Sequence, residues 1–372
     1  MILFRYLTKE VYTTVLATVI VLLLVFICNQ FIHYLSQAAA GKLPIKAVLQ
    51  LMSLQVPLLL GYLLPLALFV GILLVYSRLY VDNEMTVLFA CGVSPLRLLG
   101  ITMGFSLGVM AVVAFLTLWV EPHIAGFRDR IFAEAAVASP IEKMFPGRFE
   151  TLGNGQWVVY VQSLSQDRQN MSDVFAAKLP KTANEPWTIV AAEGGYQWQD
   201  KKTGDQFIVL TKGHRYLGIP GQGDFQIMDY DKYGIRMQTG KADMGQQQHE
   251  EYLPTLQLLK ESSKGDPQTT AELQWRLTMP LSTLILAFIA VPLSRVKTRK
   301  GKYARLLPAL VLYIAYADLI FLSQAWIQQG TISARLGMWW VHGIMLLLAI
   351  ILMANFAGWY PSWAKSRLKK QV

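Results

Sequence analysis

The sequence predicts an α-helical membrane protein in which six transmembrane helices, grouped three and three, enclose an all-β domain. Three observations carry this. Six apolar runs are each longer than the roughly 20 residues needed to cross a hydrocarbon core. Lys and Arg are concentrated on one side of the short connections between those runs. Residues 122–272 form a polar stretch of short β-branched and aromatic runs separated by turn signals.

The apolar runs are 11–34, 49–76, 96–120, 273–293, 303–326 and 336–356. Helix is the natural assignment. In lipid every backbone N–H must be satisfied within its own segment or around a closed barrel, and barrel strands would be far shorter. Pro57, Pro65, Pro280, Pro292 and Pro308 are tolerable inside such helices if neighbouring helices cover the carbonyls they free. A cleavable signal peptide is the competing reading of the first run, because Ala38-Ala39-Ala40 has the small residues of a cleavage site. The run is longer than a normal signal core, so the sequence favours retention.

Orientation follows from the basic residues. The N-terminus (Arg5, Lys9), the connection after the second span (Arg78, Arg97), the connection after the fourth (Arg295 to Arg305) and the tail (Lys365 to Lys370) hold fourteen Lys/Arg. The short connections on the other side hold only Lys42, Lys46 and Arg335. This asymmetry predicts both termini in the cytoplasm and residues 122–272 outside. Trp119, Trp275, Trp326, Trp339, Trp340 and Trp359 lie near predicted helix ends, as an interfacial belt requires. Residues 122–272 hold sixteen Lys/Arg against nineteen Asp/Glu, so of the formal net charge of +10 the rest of the chain, with eighteen Lys/Arg against five Asp/Glu, carries +13. Such charge anchors a protein at anionic headgroups and is not a nucleic-acid footprint. Cys28 and Cys91 fall toward opposite sides of the membrane, so the outer domain is expected to fold without a disulfide.

The predicted domains are thus residues 1–121, with three spans and a short cytoplasmic helix near 82–91; residues 122–272, the β domain and its return linker; and residues 273–372, with three spans and a basic tail. Within the β domain, 156–162, 174–178, 187–192, 206–211 and 225–230 read as strands. Turn signals such as Gly153-Asn154-Gly155 and Asn184-Glu185-Pro186 separate them. Evenly spaced short strands favour a sandwich or jellyroll over an α/β domain. Residues 240–266 read as a linker with one helical turn near 255–260.

Chemistry is sparse. Gly41-Lys42, Gly240-Lys241 and Gly301-Lys302 lack the following Ser/Thr that a P-loop needs for magnesium, so no nucleotide site is encoded. No His-Glu-x-x-His or Cys/His cluster marks a metal site, and neither a cofactor nor a catalytic residue is expected. Gly104-Phe105-Ser106-Leu107-Gly108 matches a nucleophile elbow, but that motif needs a strand before it and this one lies inside an apolar run. An intramembrane serine protease would have to pair Ser106 with His342. At about 1.5 Å per residue these lie about 14 Å and about 21 Å from the cytoplasmic ends of their helices. Gly104-x-x-x-Gly108 therefore reads as a close helix-packing face, with the protease as the alternative.

The connection between the second and third spans is more informative. Asp82 or Asn83 can cap a helix start, Gly92 can end that helix, and Ser94-Pro95 can open the next. Val81, Met85 and Leu88 recur at i, i+4, i+7, and Glu84 adds a carboxylate. This short amphipathic helix either rests on headgroups or docks on a protein. Its acidic start suits an anionic surface poorly and favours the protein.

The opening Met1 to Glu10 (MILFRYLTKE), the Glu84-Met-Thr-Val-Leu-Phe-Ala-Cys91-Gly92-Val-Ser94 stretch and the three-plus-three layout around a β domain resemble the lipopolysaccharide-export permease family LptF/LptG over essentially the whole chain. The Ala90 to Ser94 form and the short N-terminus are more similar to the LptF branch than to the LptG paralogue. The resemblance implies a non-enzymatic permease subunit of an ABC transporter in the inner membrane of a Gram-negative bacterium. It would pair with LptG above two copies of the ATPase LptB, and the β domain would be a periplasmic β-jellyroll that passes lipopolysaccharide to LptC and to LptA. The helix around Glu84 would be the coupling helix, with Asp82, Glu84, Met85 and Leu88 meeting LptB. Lipopolysaccharide would enter between the first span of one subunit and the fifth span of the other. A scaffold of the FtsX type, with one helix, a domain and then three helices, fits the layout less well.

Such cargo needs basic groups at headgroup height above an apolar wall. Gln30, His33, Lys42 and Lys46 are at about that level, with the two lysines equally readable as solvated loop charges. Members of the family tend to carry basic residues near the outer end of the first span, where this chain has Gln30 and His33. Asp318 is the only acid deep within a span, and such a group ordinarily faces a partner or a wet cavity. On the fifth span, it is a candidate gate residue. Arg276, at the outer start of the fourth span, is expected to snorkel to headgroups.

Overall fold

The computed structural model describes residues 2–39, 43, 45–137, 146–152, 157–165, 170–178, 180, 186–199, 206–219, 223, 225–237, 253–262, 264–296, 303, 305–333 and 336–359. Two compact units emerge: residues 1–29, 53–127 and 245–372 form one, and residues 30–52 with 128–244 the other.

The first unit is helical. Its elements are most of α1 (Ile2–Ala39) and α2 (Ile45–Val81), then α3 (Glu84–Ala90), α4 (Pro95–Phe115), a π-helical turn over Leu116–Val120 leading into the first part, to Phe127, of α5 (Glu121–Val137), α6 (Thr255–Ser262), α7 (Pro267–Leu293), α8 (Leu306–Gln328) and α9 (Trp339–Ala357). Six of these stretches are long and apolar enough to span a membrane: α1, α2, α4 with its continuation, α7, α8 and α9. Helix α7 is the hub, packed against α4, α6, α8 and α9. Helix α1 lies at the periphery, seated through Leu7, Val11, Val15 and Val19, one residue per helical turn. Its closest seat is Gly71, where a Cβ would stand 2.6 Å from Val15 Cγ2. The Gly104-x-x-x-Gly108 face does serve packing, since Cβ atoms there would meet Phe4 at 3.4 Å and the Tyr12 hydroxyl at 3.0 Å.

The third span runs on past its expected end at Val120, without interruption through Pro122. Proline lacks the N–H that would bond the Leu118 carbonyl. That carbonyl instead accepts the Thr255 hydroxyl at 2.5 Å. Pro280 likewise frees the Arg276 carbonyl, which accepts the Thr117 hydroxyl at 3.2 Å. Neighbouring segments thus satisfy both exposed acceptors, as spanning helices require.

The second unit holds a six-stranded antiparallel sheet in sequential order: β1 (Phe149–Leu152), β2 (Trp157–Leu164), β3 (Asn170–Lys178), β4 (Trp187–Gln199), β5 (Gln206–Gly218) and β6 (Gln226–Met237). Along one transverse row, Gln162, Asp173, Glu193, Lys212 and Asp231, the pairing lapses on every strand from β2 to β6 while the register stays the same on both sides. Asp173 (φ 49°) and Lys212 (φ 48°) are left-handed there. The in/out alternation shifts phase across the row, so that Met171 and Val174, three apart, are both buried. The row is a crease. It turns the apolar residues of both halves toward one core of Val159, Val161, Met171, Val174, Ala176, Val190, Ile208, Leu210 and Ile235, built from sheet residues alone. A second small cluster in this unit joins Tyr34, Ala38, Leu43, Val48 and Leu51 with Ile131 and Phe132.

Candidate functional site

The connector between α2 and α4 folds as its sequence suggests, with one difference. Ser94 Oγ accepts the Arg97 N–H at 3.2 Å and Pro95 opens α4, while Gly92 takes φ +88° just after α3. At the start of α3, however, Asn83 occupies the capping position in a left-handed conformation (φ 62°) and makes no side-chain cap. Asparagine tolerates that conformation better than most residues, so Asn83 supplies the tight turn in place of a hydrogen bond.

Met85 is wholly buried, and Leu88 and Phe89 pack against the helical core. The apolar side of α3 is therefore held by its own chain: Phe89 lies 6.4 Å from the Tyr80 ring and 6.2 Å from the Phe356 ring. Asp82, Glu84, Thr86, Val87 and Cys91 remain exposed. Two polar links join this region to α1. The Tyr6 hydroxyl donates to Glu84 Oε2 at 2.8 Å, and Arg78 Nη2 pairs with Glu10 Oε2 at 2.8 Å. At such exposure each contributes at most about 1 kcal/mol, so they fix register more than stability.

Between α2, α7 and α8 lies an apolar cavity of about 360 Å³, walled by Tyr62, Pro65, Trp275, Tyr313, Tyr316 and Phe321 among others. Tyr62 donates to Glu121, and the Trp275 indole donates to the Tyr62 hydroxyl at 3.3 Å. Trp275 is thus packed inside the bundle against Phe321, unlike the exposed Trp119, Trp339 and Trp359 that suit an interfacial belt. His342 contacts Tyr316 through Nδ1 at 2.7 Å and Thr278 through Nε2 at 3.2 Å. Both ring nitrogens are therefore occupied away from Ser106, whose Oγ is buried with no hydrogen-bond partner. The protease alternative has no Ser–His pair to stand on.

Of the lipid-facing candidates, His33 is exposed and its Nε2 lies 2.8 Å from Gln37 Nε2, while Gln30 is half-buried. Lys42 lies outside the described residues, as does the side chain of Lys46. Asp318 is exposed at the middle of α8, on the same side as Val311, Ile314 and Leu322.

Three residues that matter were not singled out for these contacts by sequence. Arg148 donates to the Ala39 carbonyl at 2.8 Å, placing a cation at the end of α1. Tyr6 finds Glu84 across 78 residues of sequence. Arg276 does not snorkel: its side chain is 0 % exposed, paired with Glu272 at 2.8 Å and donating to the Leu253 carbonyl at 2.9 Å and to Thr255 Oγ1 at 3.2 Å. The segment 253–255 covers that end of α7 and offers the guanidinium fork better acceptors than water would.

With this geometry in view, two comparisons bear on its meaning. The sequence profile of the lipopolysaccharide export system permease LptF/LptG matches residues 5–355. The chain is also similar to the lipopolysaccharide export system permease protein LptF of Escherichia coli (strain K12), at 32% identity over 356 residues, covering 95% of this chain and 94% of that protein. The protein of the same name from Shigella flexneri matches to the same extent. The six apolar helices, the separate antiparallel sheet and the match along nearly the whole length agree: the chain belongs to the LptF/LptG family of lipopolysaccharide export system permeases.

Proposed function

We propose that the chain is one permease half of an ABC-type exporter that draws lipopolysaccharide from the outer leaflet of the inner membrane and hands it to a periplasmic bridge. It pairs with LptG, and two LptB subunits beneath supply ATP hydrolysis. LptC and LptA receive the lipid from the β domain. The termini are cytoplasmic and the sheet periplasmic, a reading supported by the placement of basic residues.

The observation that carries this reading is the uneven packing of the spans. In the most apolar window of each, α1 is 17% buried and α8 22%, against 56% for α2 and 61% for α7. The last span and the third are also lightly buried, at 28% and 33%, but α1 and α8 are the two least buried, and such a bundle built around α7 suits a lateral gate, in which α1 of one subunit faces α8 of the other. Lipopolysaccharide passes between them, with Gln30, His33, Lys42 and Lys46 at headgroup height and Asp318 on the gate helix. Helix α3 couples the gate to the ATPase through its exposed residues, above all Asp82 and Glu84, while Met85 and Leu88 hold it to the bundle.

Two experiments test this. Purification in mild detergent should bring along a nucleotide-hydrolysing subunit and a second permease. A photo-crosslinking residue at His33 should form lipopolysaccharide adducts that change with ATP. A chain that purifies alone and hydrolyses ATP itself would overturn the reading.

A further inference from the structure

The helix ends opposite the α7–α6 connection hold a second, smaller pocket. It has a volume of about 210 Å³ and is lined by Pro292, Leu293, Arg295, Arg305, Leu352, Asn355 and Phe356, where α7 ends, α8 begins and α9 ends. At about 30 Å³ per water, that is space for about seven waters, or for one phosphodiester with its glycerol.

The lining is divided by chemistry. Arg295 and Arg305 are both exposed, and neither has a carboxylate partner among the described residues. Residues 293–305 contain no Asp or Glu at all, and neither do residues 339–359. Pro292, Leu293, Leu352 and Phe356 form an apolar floor. Below it, toward the middle of the spans, the exposed residues Leu307 and Val311 of α8 and Leu347 and Ile351 of α9 continue an apolar surface. Two guanidinium groups with no carboxylate partner among the described residues, above an apolar wall at the depth where spanning helices end, match a lipid that is anionic at its head and apolar below. A soluble acidic peptide would use the arginines but leave the floor and the surface beneath it unfilled.

We propose that this pocket binds the headgroup of an anionic phospholipid, its phosphodiester held by Arg295 and Arg305 and its acyl chains lying along α8 and α9. The site also touches the connector helix. The Arg295 guanidinium stands 5.9 Å from the centre of the Phe356 ring, and that ring lies 6.2 Å from Phe89 of α3. Bound lipid therefore braces the residue on which α3 rests. The binding claim is independent of what the protein transports.

The test is native mass spectrometry of the full-length protein, in detergent, after incubation with phosphatidylglycerol or with phosphatidylcholine of the same chain length. Each cation near an anionic headgroup contributes about fivefold in affinity. The Arg295→Gln/Arg305→Gln variant should therefore retain about twenty-five-fold less phosphatidylglycerol, with phosphatidylcholine retention unchanged. The Arg295→Lys/Arg305→Lys variant should keep most of the binding, which separates lost charge from lost fold. Equal retention of phosphatidylglycerol by wild type and the glutamine variant would overturn the proposal. Displacement of the lipid by millimolar inorganic phosphate would overturn it in favour of a free-anion site.

Discussion

Arg276 offers the sharpest test of how the helical unit is held together. Its guanidinium is fully buried, pairs with Glu272 one turn earlier, and also serves the Leu253 carbonyl and the Thr255 hydroxyl. Removing one member of a buried ion pair costs about 3–5 kcal/mol, because the other is left charged and poorly solvated. Glu272 is itself only 12% exposed, so Arg276→Met should fall within that range. At about 2–4 °C per kcal/mol for a body of this size, the apparent melting temperature in detergent should drop by about 6–20 °C. Arg276→Lys separates packing from snorkelling. A lysine reaches headgroups as easily as an arginine, but one ammonium cannot serve three acceptors arranged for a planar fork. The lysine variant should lose much of the same stability, and hydrogen exchange of the α6 amides should rise because 253–255 loses its anchor. Adding Glu272→Leu to Arg276→Met should recover part of the loss, since the largely buried carboxylate is then removed as well. A lysine variant that melts with wild type, or a double variant no better than the single one, would refute the reasoning.

Other perturbations have equally definite outcomes. Gly71→Ala places a Cβ 2.6 Å from Val15 Cγ2 and should cost about 1–3 kcal/mol by overpacking, with Val15→Ala restoring most of it; thermal melts of the two single variants and the pair decide this. Asp173 is held at φ 49°, so Asp173→Gly should raise the stability of the sheet by about 0.5–1 kcal/mol and Asp173→Val lower it by about 1–2 kcal/mol, measured by denaturant titration of the β-domain signal. Asp318→Leu removes a group that costs about 2.5–3.5 kcal/mol at mid-bilayer on insertion scales, yet it should impair lipid export or assembly of the complex; unchanged export in reconstituted vesicles would remove Asp318 from the gate.

The helical unit was readable from sequence because lipid imposes a simple rule, a long apolar run with its hydrogen bonds closed internally. Residues that break the rule are where reading stops. Hydropathy ends the third span at Val120, because Glu121 and Pro122 look like a boundary, yet the helix continues once the Thr255 hydroxyl satisfies the freed Leu118 carbonyl. Arg276 looks like a headgroup anchor because its partners come from 253–255, a segment whose position relative to α7 no local pattern encodes. At the connector, the helix, its glycine stop and the Ser94 cap were legible because they are local. The Tyr6–Glu84 link was not, because it depends on α1 packing beside α3.

Apart from β1, which strand alternation does not mark, the misread strand limits of the β domain share one cause. Sequence alternation ends one strand at Gln162, starts another at Val174, and ends three more at Ala192, Thr211 and Tyr230. Every one of these limits falls on or beside the crease row Gln162, Asp173, Glu193, Lys212 and Asp231. Strand recognition relies on a period of two, and at the crease the period slips by one on each strand while the register between strands is kept. A sheet without the slip would direct the apolar residues of its two halves to opposite faces, so one half would be exposed to water. With it, both halves line one core, and a single sheet in sequential order encloses its own interior. Gly213 shows how tightly this is built: a Cβ there would lie 2.1 Å from the Ala191 carbonyl oxygen and 2.6 Å from the Tyr230 hydroxyl. Only glycine lets β4 and β5 approach at the fold line. The strand breaks inferred from sequence are therefore the signature of the crease, and the crease is what gives this disulfide-free sheet a core.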